Sequence, residues 1–184
     1  MSEIVKTSED GRYRVRLESD PDPEAHNPRT ESDHLSHVIT PTQSRYIDVD
    51  KDGGPLQEGW NHFSVRPDSE KLFLRWVAAF HGAEVIEHRP ERGAWGFWYL
   101  MPEQFSEVSD PKAYLEAEIQ EYRAWADGEV YGWIIERRQG WTADDGSGAT
   151  QETWEREDSR WGLIGSGYAL EEAEREFADF LKDH

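Results

Sequence analysis

The chain has 184 residues, of which 39 are acidic and 20 are basic, so its formal net charge is −19. Its nine tryptophans favour a folded protein, and the lack of cysteine excludes disulfides and thiolate metal sites. A negative field of this size repels nucleic acids and anionic membranes and attracts basic protein surfaces.

The length and the aromatic content predict one globular domain that spans residues 1–184. Disordered chains combine high charge with few aromatic residues, whereas 12% of this chain is aromatic. The first residues lack the apolar run of a signal peptide, and no apolar stretch approaches the length of a membrane span. We therefore expect a cytoplasmic protein that does not contact a membrane.

The first third of the chain is predicted to be largely irregular, over residues 1–60. Residues 13–17 alternate between polar and apolar side chains and predict a strand, which the Asp-Pro pairs at 20–23 end. A second, short strand is predicted at 46–49. The glycines and aspartates of residues 50–59 predict a loop rich in turns.

The middle of the chain predicts a helix, a hairpin and a second helix. The first helix covers 69–81, with Ser69 as its N-cap and Gly82 as its stop. Its predicted apolar face consists of Leu72, Phe73, Trp76, Val77 and Phe80. Residues 84–88 and 94–101 form the predicted hairpin, and Asp110-Pro111 begins a helix that Gly128 ends. The core stripe of that helix is predicted to be Leu115, Ile119, Tyr122 and Ala126.

The last third predicts three strands and a helix. The strands are expected at 130–137, 151–156 and 160–164, with a loop at 141–150. A helix over 170–182 is expected to bury Ala173, Phe177, Phe180 and Leu181.

Short turns between strands, with three interspersed helices, predict the α+β class. We expect an antiparallel sheet with about three helices packed mainly on one face. Trp95, Phe97 and Tyr99 alternate with other apolar residues over 94–101, so this strand is predicted to be central and buried on both faces.

An ordered set of short segments resembles a family of uncharacterised proteins encoded by bacteriophages and prophages. The segments are Asn27-Pro28-Arg29, Asp33-His34-Leu35, Gly96-Phe97-Trp98-Tyr99-Leu100, Leu115-Glu116-Ala117-Glu118-Ile119 with Tyr122, Gly128-Glu129-Val130-Tyr131-Gly132-Trp133-Ile134-Ile135-Glu136, and Asp158-Ser159-Arg160-Trp161-Gly162-Leu163-Ile164-Gly165. The resemblance implies a phage context and no particular mechanism.

Two short segments carry side chains suited to metal binding, although no cofactor is required by the sequence. Asp48, Asp50 and Asp52 occupy every second position and are followed by a glycine, which is the pattern that begins a calcium-binding loop. Such a loop has a bidentate glutamate at its twelfth position, where this chain has Gly59. The same residues also suit a solvated acidic turn. His34 and His37, with Asp33 and His26 nearby, offer a second set of ligands, and ordinary surface or packing histidines are the alternative.

Catalytic motifs have little support, and we predict no catalytic residue. Without cysteine the candidate nucleophile is a serine, and Gly165-Ser166-Gly167 lacks the spacing of a nucleophile elbow. This segment precedes a helix and is typical of a turn with an N-cap.

Acidic residues on two helices are the candidate partner-binding residues. Glu172, Glu176, Asp179 and Asp183 recur at helical spacing and predict a ridge of carboxylates separated by about 5–6 Å along the last helix. Phosphates along one strand of a nucleic acid recur at a comparable distance. Glu116, Glu118 and Glu121 are expected on the exposed side of the preceding helix. An ordinary polar outer face is the alternative for both sets.

These observations favour an acidic binding protein without enzymatic activity. Its expected partner is the basic surface of a host nucleic-acid-binding protein, such as a restriction, CRISPR or transcription complex, which it inhibits as a nucleic-acid mimic. One alternative is an accessory or structural protein whose acidity serves solubility. The other is a small metal-binding module that uses residues 48–52.

Overall fold

A computed structural model of the protein describes residues 2–31, 34–40, 53–89, 95–142 and 150–184. The strands are β1 Ser2–Thr7, β2 Tyr13–Ser19, β3 His37–Ile39, β4 Glu84–His88, β5 Gly96–Leu100, β6 Val130–Thr142 and β7 Thr150–Ile164. The helices are α1 Pro28–Glu31, α2 Gln57–Phe63, α3 Ser69–Phe80, α4 Pro111–Ala126 and α5 Ser166–Phe180, with 3₁₀ turns at Pro23–His26, Gly54–Leu56 and Pro102–Glu107.

The chain divides into two compact units, each with its own antiparallel sheet and its own helices. Unit 1 combines residues 1–26 with residues 128–184, and unit 2 consists of residues 27–127. The predicted α+β class with antiparallel sheets is confirmed, and the strands are distributed over two sheets. That the whole chain is one domain stays a prediction.

Unit 1 is a four-stranded sheet with α5 packed on one face. The strand order is β1-β2-β6-β7, and every neighbouring pair is antiparallel. Because side chains alternate along a strand, Val15, Trp133 and Ile135 point to the same face. They form the buried core of this unit with Ala173 and Phe177 of α5.

The two long strands of unit 1 extend beyond the predicted bounds. Strand β6 continues to Thr142, and β7 is one strand where two were predicted, at 151–156 and 160–164. Asp158 and Ser159, which lie between the two predicted strands, pair with β6 beside a bulge, so the ladder continues through them. Of the predicted loop at 141–150, residues 143–149 lie outside the described part of the chain.

Unit 2 is built around β5, which lies between β3 and β4 and is buried along its whole length, as predicted. Phe97 contacts Trp60 of α2 and Phe73 of α3, with ring centroids 5.1 and 5.2 Å apart. The next residue, Trp98, points to the opposite face and contacts Tyr122 of α4 at 5.3 Å. Helices therefore cover both faces of this sheet, because both faces of β5 are apolar.

The N-terminal third contains more regular structure than its sequence predicted. Strand β1 was not predicted, because its side chains are mostly exposed and lack a clear alternation. The loop expected at 50–59 was wrong for residues 54–59, because residues 54–63 form a 3₁₀ turn and α2. Leu56 and Trp60, one helical turn apart, are both buried and stabilise this helix. The strand expected at 46–49 lies outside the described residues.

The predicted helices are confirmed with adjusted ends. Ser69 is the first residue of α3, after Asp68 in a left-handed conformation, and Gly82 follows the end of the helix with φ +63°. Phe80, expected in the core, is 77% exposed. Asp110 caps α4 as predicted, since its Oδ1 accepts hydrogen bonds from the amides of residues 112 and 113 at 3.0 and 3.1 Å. Helix α5 begins at Ser166, one turn before the predicted start at 170.

Candidate protein-interaction surface

Helix α5 has two polar flanks, one on each side of the stripe that it buries against the sheet. At 3.6 residues per turn, Glu172, Glu176 and Asp179 lie along one flank, and Asp183 lies beyond the end of the helix. Arg160 of β7 contacts Glu172, so this flank faces the β7 side of the sheet. The other flank carries Ser166, Leu170 and Glu174 and faces the opposite side, where β1 forms the edge.

The predicted carboxylate ridge begins with a residue that is not at the surface. Glu172 is 5% exposed, and its carboxylate contacts the guanidinium of Arg175 at 2.6 Å and that of Arg160 at 3.5 Å. The expectation of an exposed Glu172 is therefore wrong. A carboxylate at this depth needs such partners, because burial of an unpaired charge is costly.

The remaining ridge residues are also largely neutralised by cations of the same helix. Glu176 pairs with Arg175 at 2.9 Å, and Asp179 pairs with Lys182 at 2.6 Å. The hydrogen bond from Lys182 holds the pKa of the Asp179 carboxyl below its usual value. Asp183 is exposed at the end of the ridge. Partner binding by these residues stays a prediction, and their paired charges weaken the likeness to a row of phosphates.

The three glutamates of α4 have different environments. Glu116 is exposed and lies 3.8 Å from the amine of Lys112, and Glu121 is half-buried. Glu118 is 5% exposed, so its predicted place on the outer side of the helix is wrong. It follows Leu115 by three residues and shares the buried stripe of α4 with it.

Glu118 is the centre of a buried polar network in unit 2. Its Oε2 accepts a hydrogen bond from the Ser36 hydroxyl and another from Arg29 at 3.3 Å, and its Oε1 lies 3.2 Å from His34 Nδ1. Arg29 also donates to the Ser36 carbonyl at 2.9 Å, and its guanidinium lies 4.9 Å from the ring centre of Trp98. These contacts attach the segment after α1 to α4 and β5, which is a structural role.

The network predicts that unit 2 loses stability in acid. Burial alone raises the pKa of the Glu118 carboxyl, but hydrogen bonds from His34, Ser36 and Tyr114 outweigh burial and leave the pKa below its usual value. A carboxyl group whose pKa is lower in the folded than in the unfolded protein stabilises the fold at pH values above the unfolded pKa, which is about 4.3 for glutamate. This stabilisation is lost as the pH falls through the folded pKa. In urea denaturation from pH 7 to pH 3, we expect the stability difference between wild type and Glu118→Gln to shrink below about pH 4.3. A difference that is constant with pH would contradict this assignment.

The predicted metal ligands are not brought together among the described residues. Asp48, Asp50 and Asp52 lie outside the described part of the chain, as does Asp33. His34 contacts the Glu118 carboxylate, and the ring of His37 packs against Tyr99 at 5.3 Å. His26 lies 3.4 Å from Asp20. Within the described ranges, no three histidine, aspartate or glutamate side chains are placed to hold a metal ion.

An open groove lies on the β1 side of α5. It has a volume of 330 Å³ and is lined by Glu3, Leu17, Tyr131, Ser166, Gly167 and Leu170. These residues come from three neighbouring strands and from the first turn and a half of α5. Leu170 is 42% exposed although it borders an apolar surface. The arrangement suits a large apolar side chain from another molecule.

Unpaired carboxylates border this groove. Glu3 lies in its wall, and Glu171 and Glu174, which are not part of the lining, follow the lining residues Gly167 and Leu170 by one helical turn. All three side chains are exposed, and none has an ion pair with another residue in the described part of the chain. They differ in this from the β7 flank of the helix, where cations accompany the acids.

Sequence patterns did not indicate this groove, because they predicted neither the start of α5 at Ser166 nor the order of the strands. The start of α5 at this residue brings Ser166, Leu170 and Glu174 onto one flank at a spacing of four residues. The pairing of β1, β2 and β6 then places Leu17 and Tyr131 beside that flank. From the sequence alone, Leu17 and Tyr131 are assigned to strands, and only the order of the strands places them beside the groove.

Comparison with protein-family models, with curated proteins and with solved structures finds no match for this chain. The likeness to phage proteins therefore remains a hypothesis from sequence segments. Among the described residues, no helix has both the length and the apolar character needed to cross a membrane.

Proposed function

We propose that the protein is a non-enzymatic binding protein of phage type that engages a basic surface of a host protein in the host cytoplasm. The observation that carries this proposal is the set of unpaired, exposed carboxylates of Glu3, Glu171 and Glu174 around an apolar groove. A net charge of −19 adds a long-range field that steers basic partners towards the protein.

The unpaired carboxylates are better suited to contact a partner than the predicted ridge is. Glu172 and Glu176 already share Arg175, so a partner cation must compete with an existing ion pair. Glu171 and Glu174 have no such competitor among the described residues. They gain a charge partner on binding, which favours association and makes it sensitive to salt.

The partner that we propose is a host nucleic-acid-binding protein, because surfaces that bind phosphates are rich in lysine and arginine. Inhibition then follows if the acidic surface occupies the place of the nucleic acid. Of the predicted ridge, the exposed residue Asp183 remains available to extend the contact, whereas Asp179 is paired with Lys182.

A second candidate is an accessory or structural protein whose acidity maintains solubility. Ion pairs across the sheet of unit 1 favour it, such as Arg137 with Glu157 at 2.7 Å and Arg14 with Glu136 at 2.7 Å. These pairs show that many acidic residues are matched by a neighbouring cation. The two functions differ in whether the unpaired carboxylates matter for binding.

Charge reversal at the unpaired carboxylates tests the proposed function. We expect immobilised wild-type protein to retain nucleic-acid-binding proteins from a bacterial lysate at about 0.1 M salt and to release them near 1 M, where charges are screened beyond about 3 Å. The double variant Glu171→Lys, Glu174→Lys should retain much less of the same proteins, because it repels basic surfaces. Quantitative mass spectrometry of the eluates measures the difference.

A matched control uses an acidic residue in the other unit that is also exposed. The single variants Glu174→Lys and Glu103→Lys change the net charge equally, and Glu103 is likewise exposed and unpaired among the described residues. If the two variants lose the same proteins to the same extent, net charge alone accounts for capture, and the solubility function stands instead.

A further inference from the structure

The groove beside α5 combines exposed apolar surface with an unpaired carboxylate in its wall. We propose that it is the anchor site for a basic segment of the partner, which inserts one large apolar side chain between Leu17, Tyr131 and Leu170. This inference rests on the proposed function and specifies which surface of the protein makes the contact.

The shape and lining of the groove support an apolar anchor. Leu17 and Tyr131 are half-buried in the sheet, and Leu170 projects from the helix above them. The volume of 330 Å³ suits a single large side chain. Anchors of this kind dominate binding energy when they fill a pocket and the surrounding contacts exclude water.

The charges around the groove select a basic segment. The amides in the first turn of α5 contribute a partial positive charge of about half a unit at one end of the groove. Glu3, Glu171 and Glu174 contribute three full negative charges beside it. The negative charge outweighs the helix terminus, so lysine or arginine on either side of the anchor residue is favoured.

The contact involves side chains more than the edge of the sheet. Strand β1 is irregular between Ile4 and Lys6, and it carries Lys6 on the edge. Bulges and edge lysines protect a strand from pairing with another chain. The groove lies over side chains on the face of the sheet and does not include the hydrogen-bonding edge of β1.

Two variants on α5 separate the groove from the general charge of the protein. Leu170→Asp places a carboxylate in the groove, whereas Tyr168→Asp makes the same charge change on another face of the helix. Leu170 and Tyr168 are 42% and 50% exposed, so both changes are tolerated by the fold. Circular dichroism and urea denaturation confirm that each variant folds.

The probe is a short fluorescein-labelled peptide in which arginine and leucine alternate, with a second peptide in which serine replaces leucine. Fluorescence anisotropy at about 0.1 M salt measures both affinities. We expect Leu170→Asp to weaken binding of the first peptide by about tenfold or more, the effect of losing one buried aliphatic anchor. Tyr168→Asp should leave the affinity unchanged, and the serine peptide should bind wild type as weakly as the leucine peptide binds Leu170→Asp.

The outcomes distinguish the groove from the proposed function. Equal affinity of both aspartate variants, or of both peptides, overturns the groove, and salt-sensitive capture that depends on Glu171 and Glu174 would still support the proposed function. Sedimentation velocity tests a third occupant. If wild type forms a dimer and Leu170→Asp does not, the groove binds a second copy of the chain, and the proposal of a basic partner segment is wrong. No binding of either peptide to wild type also overturns the groove, while the capture experiment separately decides the proposed function.

Discussion

Replacing Glu118 with alanine is expected to lower the free energy of unfolding by about 3–5 kcal/mol, the usual cost of removing one partner of a buried ion pair. The loss arises mainly from Arg29, which remains in the interior when Glu118 is removed. Arg29 has a side chain that is 2% exposed, so its guanidinium stays buried when the Glu118 carboxylate is removed. The hydroxyl of Ser36 also loses its acceptor, which adds to the cost.

Urea denaturation followed by circular dichroism measures this loss, and Glu116→Ala is the matched control. Glu116 lies on the same helix, is exposed, and has only a long contact to Lys112. Its removal should change stability by less than about 1 kcal/mol, as for other surface ion pairs. Similar losses for Glu116→Ala and Glu118→Ala would show that the buried network is not the source of the stability.

Glu172 provides an instructive comparison, because it is as buried as Glu118 but has different partners. The side chains of Arg160 and Arg175 are 54% and 58% exposed. After removal of Glu172 both guanidinium groups remain in contact with water, so neither arginine becomes a buried charge without a partner. The cost of losing a carboxylate thus depends on whether its partner cation can be hydrated.

Sequence patterns predicted the elements whose signals are local. The alternation in residues 13–17, the Asp110-Pro111 start of α4 and the apolar strand β5 each depend on neighbouring residues, and each is confirmed. Strand β1 and helix α2 lacked such signals. Strand β1 is defined by its pairing with the next strand, as of Ser2 with Glu18, and α2 by contacts with residues farther along the chain, as in the packing of Trp60 on Phe97.

The same distinction explains the candidate site. Helical spacing places Glu172, Glu176 and Asp179 on one flank of α5, with Asp183 beyond the end of the helix, but it contains no information on which flank faces a neighbouring strand. The position of Arg160 opposite that flank depends on the β6–β7 pairing and gives Glu172 a partner from the sheet, whereas Glu176 and Asp179 pair with Arg175 and Lys182, which are close to them in sequence. The unpaired acids lie one or two positions away along the helix, and only the tertiary structure distinguishes the two sets.

The second large effect is expected at Gly54, where the backbone of unit 2 meets a buried tyrosine. Gly54 has φ +58°, and a Cβ atom there would lie 2.5 Å from the Tyr99 hydroxyl and 2.6 Å from the His37 ring. The Tyr99 hydroxyl donates to the Gly53 carbonyl at 2.7 Å and accepts from the Leu56 amide at 3.2 Å. Gly54→Ala therefore adds backbone strain and displaces a buried hydroxyl from two hydrogen bonds. We expect a loss of about 3–4 kcal/mol in the free energy of unfolding, from left-handed backbone strain of about 1–2 kcal/mol and two hydrogen bonds of about 1 kcal/mol each.

Gly82→Ala separates these two causes. Gly82 is in the same unit and has φ +63°, but its nearest neighbour to a new Cβ is Pro102 at 3.7 Å, which is an ordinary contact. It should lose only the strain term, about 1 kcal/mol for a left-handed residue. Urea denaturation of the two variants side by side measures the difference, which is the cost of disturbing Tyr99. Equal losses would mean that the hydroxyl can move without cost, and the contact between the 3₁₀ turn at Gly54–Leu56 and β5 would then contribute little to the stability of unit 2.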